Sequence, residues 1–113
     1  MSVDLQQLPK ARLDFIEPML ARLVAQLPSG STWLYELKLD GYRTLVMKNR
    51  GVVTLFSRRG NNQNVRFASI AKAFSFLPND TIVDGEVVVL DQQGRPSFSD
   101  LQNSRFTPDV LYF

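Results

Sequence analysis

Three charged residues alternate in the first half of the chain and could together do chemistry on a phosphate group. They are Glu36, Lys38 and Asp40, and Gly41 and Arg43 follow directly. In a strand, every second side chain lies on the same face, so the three charges would share one face. A lysine can act as a nucleophile or clamp a phosphate, carboxylates can hold Mg²⁺, and a glycine lets backbone approach a ligand. Charge alternation on a solvated strand explains the same spacing, so the spacing alone leaves both interpretations open.

The elements that must position these charges can be predicted from apolar periodicity. Residues 33–40 alternate between an apolar face and a face that carries the charged triplet, which predicts a strand. Upstream, residues 19–27 repeat apolar side chains at helical spacing, which predicts a helix. Downstream, residues 43–49 and 52–58 are rich in β-formers, and the Asn-Arg-Gly sequence between them predicts a hairpin.

The second half of the chain predicts a further helix, a strongly apolar strand and two short elements. Apolar residues from Phe67 to Leu77 share one helical face, and residues 81–90 form the apolar strand, interrupted by an Asp-Gly-Glu sequence. Residues 99–102 predict a short helix and residues 109–113 a strand. The fold class predicted is therefore α+β, with antiparallel strands and short helices. We expect five aromatic residues to lie in the core rather than stack on bases: Trp33, Tyr35, Phe67, Phe74 and Phe98.

Composition excludes several classes of protein. The 113 residues, 44% hydrophobic and 11% aromatic, are typical of one folded domain or part of one. A net charge of +2 permits a nucleic-acid partner without demanding one. Cysteine and histidine are absent, which excludes disulfides and argues against a structural zinc site, so a bound metal would be Mg²⁺ or Mn²⁺. We find no signal peptide and no run of membrane-spanning length, and we expect a cytoplasmic protein with no membrane partner.

Three motifs in order resemble those of the covalent nucleotidyltransferases, the superfamily of DNA ligases, some RNA ligases and mRNA capping enzymes. Residues 38–43 match the K-x-D-G-x-R motif, residues 56–60 resemble the short S-R motif, and residues 83–87 resemble the D-G-E motif. The flanking residues 18–21 and 94–102 are similar to ATP-dependent DNA ligase domains of the bacterial and archaeal LigD type. The similarity runs from about residue 16 to the end of the chain.

The resemblance implies half of an ATP-grasp-like catalytic domain of the DNA ligase and mRNA capping enzyme type. Residues 1–18 would be a lead-in segment, and residues 19–113 the N-terminal half of the adenylation domain. The implied reaction joins AMP from ATP to Lys38, passes it to the 5′-phosphate at a nick in double-stranded DNA, and then seals the nick, as in repair and recombination. ATP and Mg²⁺ or Mn²⁺ are the cofactors that the resemblance implies.

The resemblance also assigns roles around the lysine. Lys38 would be the nucleophile, and Asp40 would support the nucleophile and the metal. Glu36 matches the position that contacts the adenine amino group, and Arg43 the arginine that contacts the ribose. Gly41 would make room for the nucleotide.

Further roles fall on the two later motifs. Arg58, with Arg59 beside it, would grip a DNA phosphate, although a solvated arginine pair beside a turn is the alternative. Glu86 would bond a ribose hydroxyl with Asp84 in support, although Asp84 and Gly85 could instead mark a strand bulge.

Later motifs of the family do not occur in these residues, and the chain ends on the apolar run 109–113. We therefore expect a piece of a longer ligase that lacks the C-terminal half of the domain and a separate OB-fold domain; a docked terminal strand is the alternative. We expect the isolated chain to be inactive and to self-associate through apolar surface. Two other functions stay open: an RNA ligase or capping-type nucleotidyltransferase, and a truncated relative that binds nucleotide or DNA without catalysis.

Overall fold

The computed structural model describes Asp4, residues 7–103 and the backbone of residues 110–112. Within these residues, four strands form one sheet in the order β2-β1-β3-β4, and neighbouring strands are antiparallel. The elements are β1 (Tyr42–Asn49), β2 (Val52–Ser57), α1 (Ala68–Ala73), a 3₁₀ turn (Phe74–Phe76), β3 (Thr81–Val88), α2 (Phe98–Gln102) and β4 (Val110–Tyr112). The predicted α+β class with antiparallel strands and short helices is confirmed.

The β1–β2 hairpin forms where the sequence predicts it. Asn49 pairs with Val52, so the connection is the two residues Arg50 and Gly51. Both have positive φ, 49° at Arg50 and 79° at Gly51. Positive φ at both central positions is the geometry that matches the right-handed twist of paired strands, and glycine adopts it without strain. This turn fixes the register of β1 against β2.

One face of the sheet packs against the helices and forms the hydrophobic core. The sheet contributes Val46, Leu55 and Val87, all fully buried. The predicted helical face from Phe67 to Leu77 is buried over them, although it is divided between α1 and the 3₁₀ turn. Each fully buried side chain of this kind contributes about 1.5–3 kcal/mol of transfer free energy. Packing of the core therefore determines which side chains of β1 and β3 lie on the opposite face of the sheet.

A polar loop closes the outer edge of β2. The side chain of Asn64 accepts a hydrogen bond from the Leu55 N–H (2.7 Å) and donates one to the Val53 carbonyl (2.7 Å). The Gln63 N–H donates to the Leu55 carbonyl (2.8 Å). Because an open strand edge presents unpaired backbone groups, these bonds replace a neighbouring strand.

The predicted helix over residues 19–27 and the predicted strand over 33–40 are both wrong. The structure assigns no helix or strand to either segment, and their apolar side chains face solvent, Leu23 at 97% and Leu37 at 90% exposure. An amphipathic element owes most of its stability to the surface that buries its apolar face. The described part of the chain does not bury the apolar face of either segment, so the periodicity alone does not produce a helix or a strand.

The predicted aromatic core is right for three of its five residues. Phe67 and Phe74 are buried, and Phe98 packs against the core. Trp33 and Tyr35 are 52% and 60% exposed, and their prediction as core residues is wrong for the same reason as the strand that was to carry them.

The remaining predicted elements form close to their predicted bounds. The strand over 81–90 is β3, and the helix over 99–102 is α2, which Ser97 caps by accepting a hydrogen bond from the Asp100 N–H. The predicted strand over 109–113 corresponds to β4, and residues 109 and 113 lie outside the described residues. None of the described helices has the length and apolar character needed to span a bilayer.

Candidate functional site

The face of the sheet that points away from the helices carries a charged cluster. Arg43 on β1 lies directly opposite Glu86 on β3, and Asp84 lies two residues earlier on β3. Alternate strand residues share a face, and Val46 and Val87 point into the core. Arg43, Asp84 and Glu86 therefore all project from the opposite face, where a ligand can reach them.

Arg43 and Asp84 form a two-pronged ion pair. The guanidinium Nε donates to Asp84 Oδ1 (2.6 Å) and Nη2 donates to Asp84 Oδ2 (2.5 Å). The two side chains are 33% and 42% exposed. Hydrogen bonding to Asp84 raises the pKa of Arg43 further above its ordinary value, burial works against this, and the charges of Asp84, Glu86 and Glu36 add to the rise. The pair holds the guanidinium in one orientation.

Glu86 is half-buried and lies next to the segment that carries the lysine. Burial raises the pKa of Glu86 above its ordinary value, while the charge of Arg43, a hydrogen bond from the Gly41 N–H and the charge of Lys38 work against the rise. The negative charge of Asp40 adds to it. The segment from Lys38 to Gly41 therefore influences the pKa of this carboxylate.

Gly41 is where that segment meets the backbone of β3. A Cβ added at Gly41 would lie 2.1 Å from the Val87 carbonyl oxygen and 2.8 Å from Val88 Cγ1. Only a residue without a side chain fits this approach. The structure thus gives Gly41 a packing reason that the sequence did not reveal, and its predicted contact with a nucleotide stays a prediction.

Glu36, Lys38 and Asp40 lie on an irregular, exposed segment rather than on a strand face. They do not form a strand because the described part of the chain buries no apolar face of this segment. The charge of Glu36 still acts on Arg43, and the charge of Lys38 on Glu86. The segment therefore approaches β3 through the packing of Gly41, not through strand alternation.

The two arginines of the second motif lie at the same end of the sheet, one strand further out. Arg58 and Arg59 follow directly after Ser57, which pairs with Thr44 next to Arg43. Both are exposed. Gly85, the central residue of the third motif, is paired with Thr44 from the other side, within a regular part of the β1–β3 ladder. The alternative of a strand bulge at Asp84 and Gly85 is therefore wrong.

The sequence did not predict that the lead-in segment lies beside these arginines. Phe15, Glu17 and Leu20 line a cleft together with Arg58 and Arg59. The Phe15 ring lies 5.8 Å from the ring of Phe56, and its edge faces Gly60. An aromatic residue in a segment otherwise poor in structural signals was the only hint of this contact.

A divalent metal would find few protein ligands at this site, as Mg²⁺ does in other nucleotide sites. Among the described residues, no group of three or more Asp and Glu side chains is arranged to hold a metal. Mg²⁺ in nucleotide sites is commonly held by one or two carboxylates, with phosphate oxygens and water completing its shell. Asp40, exposed and close to Lys38 in the chain, suits such a role.

Comparisons with known proteins find relatives among DNA ligases. The family model described as "ATP dependent DNA ligase domain" matches residues 18–109. The chain is 46% identical over 92 residues to the multifunctional non-homologous end joining protein LigD of Pseudomonas aeruginosa, an alignment that covers 80% of this chain and 11% of that protein. It is 43% identical over 93 residues to the multifunctional non-homologous end joining DNA repair protein LigD of Mycobacterium tuberculosis, covering 80% of this chain and 12% of that protein.

Solved structures agree with this sequence similarity. The crystal structure of the ligase domain from Mycobacterium tuberculosis LigD matches 60% of this chain and 23% of its own, with 41% identity and a TM-score of 0.52. A mycobacterial DNA ligase D complexed with ATP and MES matches with a TM-score of 0.53 and the same identity and coverage. The family match over most of the chain, with the same fold in a solved relative, shows that this chain belongs to the ATP-dependent DNA ligase domain family.

Proposed function

We propose that this chain is part of the adenylation domain of an ATP-dependent DNA ligase that acts in DNA repair, with Lys38 as the residue that receives AMP. The observation that carries the proposal is the family match over residues 18–109, which includes the exposed Lys38 in the segment that packs on β3 at Gly41. We assign residues 19–113 to the adenylation domain and residues 1–18 to a lead-in segment. The DNA partner is consistent with a cytoplasmic location.

The proposed step is an attack by the lysine amine on the α-phosphate of ATP. The Lys38 Nζ–P bond forms, the bond from that phosphorus to the bridging oxygen breaks, and pyrophosphate leaves. Nζ must lose a proton before it can attack, as for any lysine nucleophile. A bound Mg²⁺ would neutralise charge on the phosphates and orient them for in-line attack. In this proposal Asp40 supports both the nucleophile and the metal.

The other charged residues would hold the substrates. Glu36 and Arg43 would contact the adenine and the ribose, and Glu86 would accept a hydrogen bond from a ribose hydroxyl. Arg58 and Arg59 would bind a phosphate of nicked double-stranded DNA, a task suited to the planar and permanently charged guanidinium group. Their position supports this, since both follow β2 at the sheet end where Arg43 and Glu86 lie.

The test of the proposed function is the transfer of label from ATP labelled at the α-phosphate. The chain would be joined to the remaining part of the Mycobacterium tuberculosis LigD ligase domain, because it covers 23% of that solved chain. We expect label on the joined protein with Mg²⁺, and none after Lys38→Ala. The matched control is Lys48→Ala: Lys48 Nζ donates to the Ser75 carbonyl (2.6 Å), so its ammonium group is bound beside the helices.

Two outcomes of that experiment would contradict the proposal. If Lys38→Ala takes up label as the parent does, another residue is the nucleophile. If GTP labels the protein and ATP does not, the chain belongs functionally with capping-type enzymes. We further propose that the 113-residue chain alone takes up little label, since it matches only 23% of the solved ligase chains.

We also propose that the isolated chain self-associates. Several large apolar side chains between residues 19 and 37 are more than half exposed: Met19, Leu20, Leu23, Val24, Leu27, Trp33, Leu34 and Leu37. Exposed apolar side chains in this number favour association. Sedimentation velocity at increasing concentration should show a growing oligomer fraction, and a strictly monomeric chain at high concentration would contradict the proposal.

A further inference from the structure

Two carboxylates, Asp84 and Glu86, lie on the same face of the sheet as Arg43. Arg43 forms its hydrogen bonds with Asp84, which is not its direct cross-strand partner. Glu86 is its direct cross-strand partner, whereas Asp84 lies on the diagonal. In an antiparallel pair, directly opposite Cβ atoms are about 4.5–5.5 Å apart and diagonal neighbours about 7–8 Å apart. Backbone register alone would therefore favour Glu86. Both hydrogen bonds that the structure gives the guanidinium nevertheless go to Asp84.

Neither of these hydrogen bonds reaches Glu86. The charge of Arg43 and the backbone N–H of Gly41 both act on its carboxylate, and Gly41 itself packs against Val87, next to Glu86 on β3. The segment that carries Lys38 and Asp40 therefore meets β3 beside this carboxylate. If the guanidinium turned to Glu86, it would compete with the Gly41 N–H for the same carboxylate oxygens.

We propose that Asp84 is a positioning residue that holds the Arg43 guanidinium away from Glu86. It thereby keeps the Glu86 carboxylate free to face the Gly41 N–H and, if the proposed function holds, to meet a nucleotide hydroxyl. This differs from the role that the motif resemblance gives Asp84, which was support of the nucleotide itself. Asp84 acts through Arg43 and needs no contact with substrate.

The proposal predicts what happens when the charge of Asp84 is removed. In Asp84→Asn the amide cannot form the charge-assisted pair, and Glu86 becomes the nearest carboxylate for the guanidinium on this face. An arginine that moves next to an acid lowers the pKa of that acid by about 1–3 units. Removal of the negative charge at position 84 also lowers the pKa of Glu86 directly, so the experiment must separate the two effects.

A double-mutant cycle followed by NMR separates them. The Glu86 side-chain carboxyl carbon would be titrated with pH in four chains: the parent, Asp84→Asn, Arg43→Gln, and the double variant. We expect Asp84→Asn to lower the pKa of Glu86 by about 1 unit or more when Arg43 is present, and by much less in the Arg43→Gln background. An equal fall in both backgrounds, or no fall in either, would overturn the proposal.

Two further measurements test whether the change at Glu86 comes from loss of the Asp84–Arg43 pair. Asp84→Glu keeps a carboxylate that can reach Arg43, and should leave the Glu86 pKa near that of the parent. In Asp84→Asn the Gly41 amide proton should shift upfield and exchange faster, because its acceptor has been drawn away; an unchanged Gly41 amide contradicts the proposal.

If Asp84→Asn does not fold, Asp84→Ser removes the same charge with a smaller side chain and gives the same readouts. None of these measurements uses ATP, so a failure of adenylation would leave this result standing.

Discussion

Substitution of Gly41 by alanine tests the contact that holds the lysine segment against β3. The added Cβ would lie 2.1 Å from the Val87 carbonyl oxygen, whereas ordinary contact begins at 3.4 Å. The two groups must therefore separate by 1.3 Å, the difference between 3.4 Å and 2.1 Å. The carbonyl belongs to a central strand that is paired on both sides, so we expect the segment with Lys38 and Asp40 to move instead.

The size of the effect follows from the steric overlap. Forcing an extra carbon into a packed contact costs about 1–3 kcal/mol, and a Cβ only 2.1 Å from a backbone oxygen belongs at the upper end of that range. We expect Gly41→Ala to lower the free energy of unfolding by about 2–3 kcal/mol, a large share of the about 5–15 kcal/mol typical of a domain.

Urea unfolding at equilibrium measures this loss, with Gly51→Ala as the matched control. Gly51 has open space around its Cα, and its alanine variant suffers only the strain of a φ of +79°, which costs about 1–2 kcal/mol. We expect Gly41→Ala to be the less stable of the two and to shift the amide resonances of residues 38–41 and of Glu86. A Gly41→Ala chain no less stable than Gly51→Ala, with those resonances unmoved, would refute the packing argument.

Three other predictions follow from the described contacts. Asn64→Ala leaves the Val53 carbonyl and the Leu55 N–H without their side-chain partners, and should lower the free energy of unfolding in urea by about 1–3 kcal/mol; a loss below about 0.5 kcal/mol would contradict the role given to this side chain. Burial raises the pKa of Glu86 above its ordinary 4.5. The protonated carboxyl therefore contributes stability that is fully present below pH 4.5 and is lost as pH rises through the raised pKa. The free energy of unfolding in urea should fall between about pH 4.5 and pH 7 in the parent, and this fall should be absent in Glu86→Gln. The fluorescence of Trp33, the one tryptophan of the chain and 52% exposed, should be partly quenched by acrylamide in dilute solution, where self-association is least, and fully protected emission there would contradict its exposure.

Local signals predicted the parts of the fold that depend on neighbouring residues. The hairpin follows from two residues that accept positive φ, Arg50 and Gly51. The apolar spacing from Phe67 to Leu77 predicted the surface that covers the sheet, because the sheet offers an apolar face to receive it. In both cases the pattern in the sequence and the partner in space agree.

The same kind of signal failed for residues 19–40, and the reason is physical. Apolar periodicity stabilises a helix or strand only when another surface buries it. Leu23 and Leu37 are almost fully exposed in the described structure, so the pattern gains nothing from regular geometry. Trp33 and Tyr35 were mispredicted as core residues together with the segment that carries them.

The pairing within the candidate site was not predictable from the motifs. The motif resemblance selected Lys38, Asp40, Arg43, Asp84 and Glu86, and the structure places Arg43, Asp84 and Glu86 on one face of the sheet. That Arg43 bonds Asp84 rather than Glu86 depends on the register of two strands about forty residues apart, which no local pattern encodes.

The central claim is that Lys38 carries the adenylyl group, and peptide mapping tests it most directly. The chain joined to the rest of a LigD ligase domain would be incubated with ATP and Mg²⁺, digested under conditions that preserve the acid-labile P–N bond, and analysed by tandem mass spectrometry. We predict one modified peptide, with the mass of a single adenylyl group on Lys38. An adenylyl group on Lys48 or any other residue, with Lys38 unmodified, would contradict the account.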